Sequence, residues 1–227
     1  KEKDENIAAF VAVKEFRDDQ YLIMATEQGT IKKTVLSAYG NVRKGGINAI
    51  NIADGDKLIE VKMTDGNNFI VIGTHNGFAI RFNEQDVRDM GRTATGVRGV
   101  NLGKGDKVVG LLVIKRNDNI LVVTENGFGK RSDINDYRIT KRGGKGVITV
   151  KTTEKTGKMI AMMEVVDGDE LVIISSHGMV IRQSVKDIRV MGRNAQGVRV
   201  IRLGDGDRIA DIAKVIPDDD DGAAVAS

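Results

Sequence analysis

Glycine recurs in this 227-residue chain with a period near fifty, and three separate ladders carry the period. The first is Gly29, Gly77, Gly127 and Gly178, each closing a short polar tetrapeptide such as Thr74-His75-Asn76-Gly77. The second is Gly46, Gly96, Gly146 and Gly197, each followed by Ile or Val. The third marks junctions: Gly55-Asp56-Lys57, Gly105-Asp106-Lys107, Gly157-Lys158 and Gly206-Asp207-Arg208. Three ladders in register limit the chain to stacked copies of one supersecondary unit, because a unit this short cannot bury its own apolar face.

Each unit reads as strands. Four-residue apolar runs precede the first ladder: Tyr21-Leu22-Ile23-Met24, Phe69-Ile70-Val71-Ile72, Ile120-Leu121-Val122-Val123 and Leu171-Val172-Ile173-Ile174. Such short β-branched runs bounded by turn residues suit buried strands. Second strands follow at 30–33, 78–82, 128–131 and 179–182, joined through tight turns for which Asn76-Gly77 and Asn126-Gly127 are strong primed-turn signals. Third strands are expected after the second ladder, at 97–102 and 198–203, and fourth strands after the junctions, at 57–63 and 107–114. Four strands per unit of about fifty residues is the arithmetic of a propeller blade, so the fold class is all-β and propeller-like. The expected layout is one domain over 1–217 with units at about 7–55, 56–105, 106–157 and 158–206. A closing strand follows at 207–216, then an acidic tail at 218–227. The fourth-strand pattern also appears at 7–16, so the chain is expected to begin on a blade strand.

Composition narrows the chemistry. With no cysteine there is no disulfide, no thiolate metal site and no cysteine nucleophile, which fits the cytosol. No apolar stretch approaches the ~18 residues of a membrane helix. The phosphate-loop pattern of ATPases is absent, and Gly91 to Gly96 continues into Val-Arg instead of Lys-Thr. The triplets Asp54-Gly55-Asp56, Asp167-Gly168-Asp169 and Asp205-Gly206-Asp207 read as turn chemistry; no calcium loop follows them. His75 and His177 fall in hairpin turns, and Tyr21, Tyr39 and Tyr137 read as packing or rim residues. No catalytic residue, metal or cofactor is expected.

Charge points outward. Without Asp218 to Asp221 the chain carries 35 basic against 28 acidic residues, a balance that favours a polyanionic partner. One cation set recurs near the second ladder: Arg43, Lys44, Arg92, Arg98, Lys141, Arg142, Lys145, Arg193 and Arg199. Another recurs along the second strands: Lys32, Lys33, Arg81, Lys130, Arg131 and Arg182. Single lysines and arginines also guard strand edges against aggregation. Recurrence at one blade position, however, places charges at similar heights, where they can follow a phosphate backbone with one charge per roughly 1.7 Å of duplex axis. Nearby Gly143, Gly144 and Gly146 would let that backbone approach closely. The box Lys141-Arg142-Gly143-Gly144-Lys145-Gly146 concentrates both features. Aromatic residues are 4% with no Trp, a poor supply for stacking single-stranded bases.

That box, together with Gly91-Arg92-Thr93-Ala94-Thr95-Gly96-Val97-Arg98-Gly99 and Gly192-Arg193-Asn194-Ala195-Gln196-Gly197-Val198-Arg199, resembles the C-terminal domain of the bacterial DNA gyrase A subunit, with its topoisomerase IV relative. The resemblance runs from about Ile7 to Ile216. It implies a β-pinwheel in which an outer strand is exchanged between neighbours, with a basic rim around which double-stranded DNA bends. It implies as partners the gyrase B subunit together with the rest of the gyrase A subunit, with catalysis elsewhere, in a bacterial cytoplasm at the nucleoid. It also implies that these four units are the later blades of a longer array. The alternative on the residues alone is a propeller scaffold for protein partners.

Overall fold

A computed structural model describes residues 7–215 of the chain. The tail expected at 218–227 lies outside the described residues. Fifteen strands form four antiparallel sheets among these residues. The first unit contributes β1 (Tyr21–Thr26), β2 (Thr30–Val35) and β3 (Leu58–Thr64). The second contributes β4 (Phe69–Thr74), β5 (Phe78–Asn83), β6 (Val97–Arg98) and β7 (Val108–Ile114). The third contributes β8 (Asn119–Thr124), β9 (Phe128–Asp133), β10 (Val147–Ile148) and β11 (Met159–Val165). The fourth contributes β12 (Glu170–Ser175), β13 (Val180–Ser184), β14 (Val198–Arg199) and β15 (Ile209–Val215).

The sheet orders are β3-β1-β2-β6, β7-β4-β5-β10, β11-β8-β9-β14 and β15-β12-β13. In the first three sheets the outermost strand therefore comes from the following unit: β6 pairs with β2, β10 with β5, and β14 with β9. These exchanged strands are two residues long instead of the six expected, because the chain leaves the sheet at once to cross to the next junction. In the first unit the matching segment around Gly46 forms no strand, and Val42 and Ile52 are exposed there. The fourth sheet has three strands, and Met179 and Val180 at its outer edge are exposed. Residues 7–16 carry the strand pattern but form none. The strand expected to close the array at 207–216 is β15, which pairs with β12 as the inner strand of its own blade.

The hairpin turns differ from the primed type read from Asn-Gly. Gly29, Gly77, Gly127 and Gly178 have φ between +79° and +88°, while Asn117 is the lone non-glycine at positive φ among the described residues. Each loop is thus a three-residue type I turn whose glycine forms a left-handed bulge, closed by bonds such as the Gly77 amide to the Thr74 carbonyl at 2.9 Å. Thr26, Thr74 and Ser175 accept the amide four residues on, as Thr26 Oγ1 does from Thr30 at 3.1 Å, whereas Thr124 Oγ1 donates to the Phe128 carbonyl at 3.3 Å. The junction aspartates complete the turns. Asp56 Oδ1 accepts the Gln28 amide at 2.9 Å, and Asp106 Oδ1 accepts that of Asn76 at 2.9 Å. Asp207 Oδ1 accepts the His177 amide at 3.0 Å. Hydroxyls of Ser175 and Ser176 and the amides of His177 and Arg208 hold the Asp207 carboxyl well below the usual carboxylate range.

The core lies between blades. Ile23, Ile31, Ile70, Ile72, Val108 and Leu111 join the first two sheets; Val71, Leu112, Ile120, Val122 and Tyr137 join the next pair; Leu121, Val123, Leu171, Ile173 and Ile212 join the last. Strands sandwiched this way are buried on both faces, so β4 and β8 read as continuous apolar runs. Inner strands are stapled by carboxylates. Glu60 on β3 accepts the Leu111 amide at 2.7 Å, and Glu164 on β11 accepts the amides of Arg116 at 2.7 Å and Asn117 at 3.0 Å. Arg116 also forks onto Asp169 at 2.8 and 2.6 Å, tying the third blade to the fourth.

Candidate nucleic-acid interface

After the second strand of the second, third and fourth units, a short 3₁₀ turn such as Glu84–Asp86 swings the chain onto the outer edge of the preceding blade. The loop first touches that blade in parallel, through bridges Lys33↔Asp89, Arg81↔Ile139 and Arg131↔Val190. It then reverses and pairs antiparallel as the two-residue exchanged strand. The second glycine ladder permits this approach. A Cβ on Gly146 would lie 2.3 Å from the Ala79 carbonyl oxygen, and one on Gly197 would lie 2.6 Å from that of Gly129. Gly143 donates its amide to the Gly99 carbonyl at 2.6 Å, and the Gly144 carbonyl accepts from Asn101 at 2.9 Å. Gly143 and Gly146, read from sequence as phosphate-approach positions, thus serve the crossing between blades; Gly144 remains exposed.

Five of the six second-strand cations are corrected by burial. Lys32 and Lys130 have no exposed surface, and Lys33, Arg81 and Arg131 are nearly as enclosed, because both faces of β2, β5 and β9 are covered by other segments. Lys32 Nζ donates to the carbonyls of Ala49, at 2.6 Å, and Arg92. Lys130 Nζ donates to Ser132 Oγ at 2.6 Å. Burial pushes both ammonium groups down to about 8, with neighbouring Arg92 adding to the effect at Lys32. Lys33 pairs with Asp89 at 3.0 Å, Arg81 donates to the Ile134 carbonyl at 2.9 Å, and Arg131 holds the Ile188 carbonyl and Asp167. Apart from Lys130, whose partner lies on its own strand, these groups bond to the following unit, and the donors of all five are directed into the protein. Arg182 is the exposed exception and pairs with Glu170.

The loop cations divide in two. Arg92, Arg142 and Arg193 are half-buried and donate to backbone carbonyls. Arg43, Lys44, Arg98, Lys145 and Arg199 are exposed. Lys145 lies over the Phe78 ring at 4.8 Å and Arg199 over Phe128 at 5.5 Å, contacts that orient the side chains and leave their charge available. Lys141 is 88% exposed and pairs with Asp86 at 2.8 Å. A further set escaped the sequence reading: Arg88, Arg138 and Arg189 follow the 3₁₀ turns at steps of fifty and fifty-one, and all three are exposed. The same ladder logic would have found them, but their flanking residues vary and no glycine marks them.

Comparison with known proteins gives one consistent answer. The family described as "DNA gyrase C-terminal domain, beta-propeller" matches at 20–65, 68–115, 118–165 and 169–216, one match per blade. The DNA gyrase A subunit of Clostridium acetobutylicum is 50% identical over 216 residues, covering 95% of this chain and 26% of that protein. The chain therefore spans about a quarter of that relative's length. A solved DNA gyrase A C-terminal domain superposes with a TM-score of 0.81 at 29% identity, covering 90% of this chain and 68% of that one. The C-terminal domain of a DNA topoisomerase IV gives 0.88 at 28% identity, covering 95% and 68%.

Proposed function

Because the chain belongs to the DNA gyrase C-terminal β-propeller family, we propose that it binds, bends and wraps duplex DNA without strong sequence preference. Such binding would support supercoiling by a gyrase whose catalytic residues lie outside this chain. The observation that carries this reading is the recurrence of exposed arginines on equivalent exchanged loops: Arg88, Arg138 and Arg189, with Arg98 and Arg199 at the exchanged strands. Equivalent charges repeated blade by blade suit a partner that is itself a repeating line of charge. Bending a short duplex by a right angle costs on the order of several kcal/mol. Many weak phosphate contacts must offset that cost, so no single arginine should dominate. The expected protein partners are the gyrase B subunit together with the remainder of the gyrase A subunit.

The test is duplex affinity against salt. Wrapping predicts a linear fall of log affinity with log salt, with a slope of about 0.9 per phosphate neutralised. Substituting Arg98 and Arg199 with Ala should weaken all sequences alike and flatten the slope. Affinity that ignores salt would refute the proposal and favour a scaffold for protein partners.

A further inference from the structure

Three arginines that resemble DNA contacts in the sequence form a repeated bond between neighbouring outer segments. Arg92 Nη1 donates to the Asn48 carbonyl at 2.8 Å, Arg142 Nη1 to that of Arg98 at 2.9 Å, and Arg193 Nη1 to that of Ile148 at 2.9 Å. Donor and acceptor are separated by 44, 44 and 45 residues, so each arginine reaches the equivalent position one unit back. Arg142 adds a second bond, from Nε to the Asp86 carbonyl at 2.8 Å. Its planar fork thus spans the outer strand of the first sheet and the 3₁₀ turn of the second unit. A backbone bond accompanies each: Asn51 to Ala94 at 3.3 Å, Asn101 to Gly144 at 2.9 Å, and Lys151 to Ala195 at 3.3 Å.

We infer that Arg92, Arg142 and Arg193 are positioning residues: they clasp successive outer segments at a fixed spacing and so set the curvature that the domain imposes on bound DNA. This inference rests on the DNA-wrapping reading. Carbonyls accept from both ends of the Arg142 guanidinium, a task suited to a rigid fork of several donors and poorly met by a single ammonium. The guanidinium charge meets no carboxylate in this contact, so it still adds to the local positive field. Its donors, however, are directed at the protein. The exposed cations that would meet phosphate, Arg98 and Lys145, stand on the two loops that Arg142 joins. Fixing the distance between those loops fixes the distance between successive phosphate contacts, and hence the bend.

The experiment uses the full chain with Arg142→Ala, Arg142→Lys and, as a phosphate-contact control, Lys145→Ala. Two DNA readouts are taken: the salt slope of affinity, and energy transfer between dyes at the ends of a bent duplex at saturating protein. Lys145→Ala should lower the slope by about 0.9 and keep the transfer efficiency. Arg142→Ala should change the slope by less than half that and bring transfer toward the value of free DNA. Arg142→Lys should fail to restore it. A loss of slope in Arg142→Ala equal to that of the control, or recovery of the bend by Lys, would overturn the inference. Hydrogen exchange without DNA judges the clasp separately. In Arg142→Ala the amides of Gly99, Asn101 and Gly143 should exchange at least tenfold faster while those of β8 and β9 hold; uniform acceleration, or none, would overturn the clasp. If the unsubstituted chain fails to bend DNA, the wrapping reading falls and the curvature role falls with it, while the exchange result still decides whether the clasp exists.

Discussion

Gly46 and Gly146 occupy the same rung of one ladder, with φ of +82° and +81°, yet they meet different surroundings. A Cβ on Gly46 meets nothing within 4 Å, whereas on Gly146 it would sit 2.3 Å from the Ala79 oxygen and 2.7 Å from its carbonyl carbon. Substitution by Ala at either site incurs the left-handed backbone cost, about 1–2 kcal/mol. That term is common to both and cancels in the comparison. Only Gly146→Ala adds a collision with fixed backbone, which overpacking measurements put at about 1–3 kcal/mol. With a urea slope of about 3 kcal/mol/M for a chain of this size, Gly146→Ala should unfold about 0.3–1 M earlier than Gly46→Ala. The assay is urea denaturation of the two single variants of this 227-residue chain, followed by circular dichroism. Equal midpoints, or a lower midpoint for Gly46→Ala, would refute the claim that this glycine exists to let the exchanged strand approach its neighbour.

Other outcomes follow from the same contacts. Asp169→Asn should cost about 1.5–3 kcal/mol through loss of the charged fork to Arg116, measured as a lowered denaturation midpoint. Burial alone would raise the Asp169 pKa, but Arg116, the Val166 amide and Lys214 together hold it below the ordinary value. Its contribution should therefore be complete above about pH 4 and vanish as pH falls through that depressed value. Lys32 and Lys130 have folded pKa values near 8, below the ~10.4 of a free lysine, so the unfolded chain binds more protons between the two. Stability should rise from pH 8 toward 10 and turn down above it, where burial keeps the Tyr39 and Tyr137 phenols protonated. A flat profile between pH 8 and 10 would contradict this. Replacing Arg88, Arg138 and Arg189 together with Ala should lower the DNA salt slope by roughly 2.7 while leaving the urea midpoint unchanged.

The hairpins were readable because two signals coincide at each: an apolar run and a glycine that must adopt positive φ. The run Tyr21 to Met24 lies inside β1, and Phe69 to Ile72 lies inside β4. The candidate interface was only half readable. In β2, the sequence Thr30-Ile31-Lys32-Lys33-Thr34-Val35 carries two adjacent cations, which by ordinary patterning belong in water. The strand is instead buried on both faces, by the second sheet on one side and by Tyr39 and Ile50 of its own unit on the other, which no single strand's pattern records. Arg142 illustrates the second obstacle. Its sequence neighbours advertise a phosphate site, whereas its bonding partners, Asp86 and Arg98, lie 56 and 44 residues away. Composition reports that a cation is present; only the neighbour across the blade decides where its donors are used.

The exchanged strand also imposes an order in time. The edge of β2, complete at Val35, is closed only when Val97 and Arg98 have been made, and the edges of β5 and β9 wait in the same way for β10 and β14. At a synthesis rate of about 5–20 residues per second, each blade leaves the ribosome with a bare hydrogen-bonding edge for roughly 3–13 s. The nascent chain is therefore most vulnerable to wrong pairing one repeat behind its growing end, and a pause in translation within a junction loop would prolong that exposure.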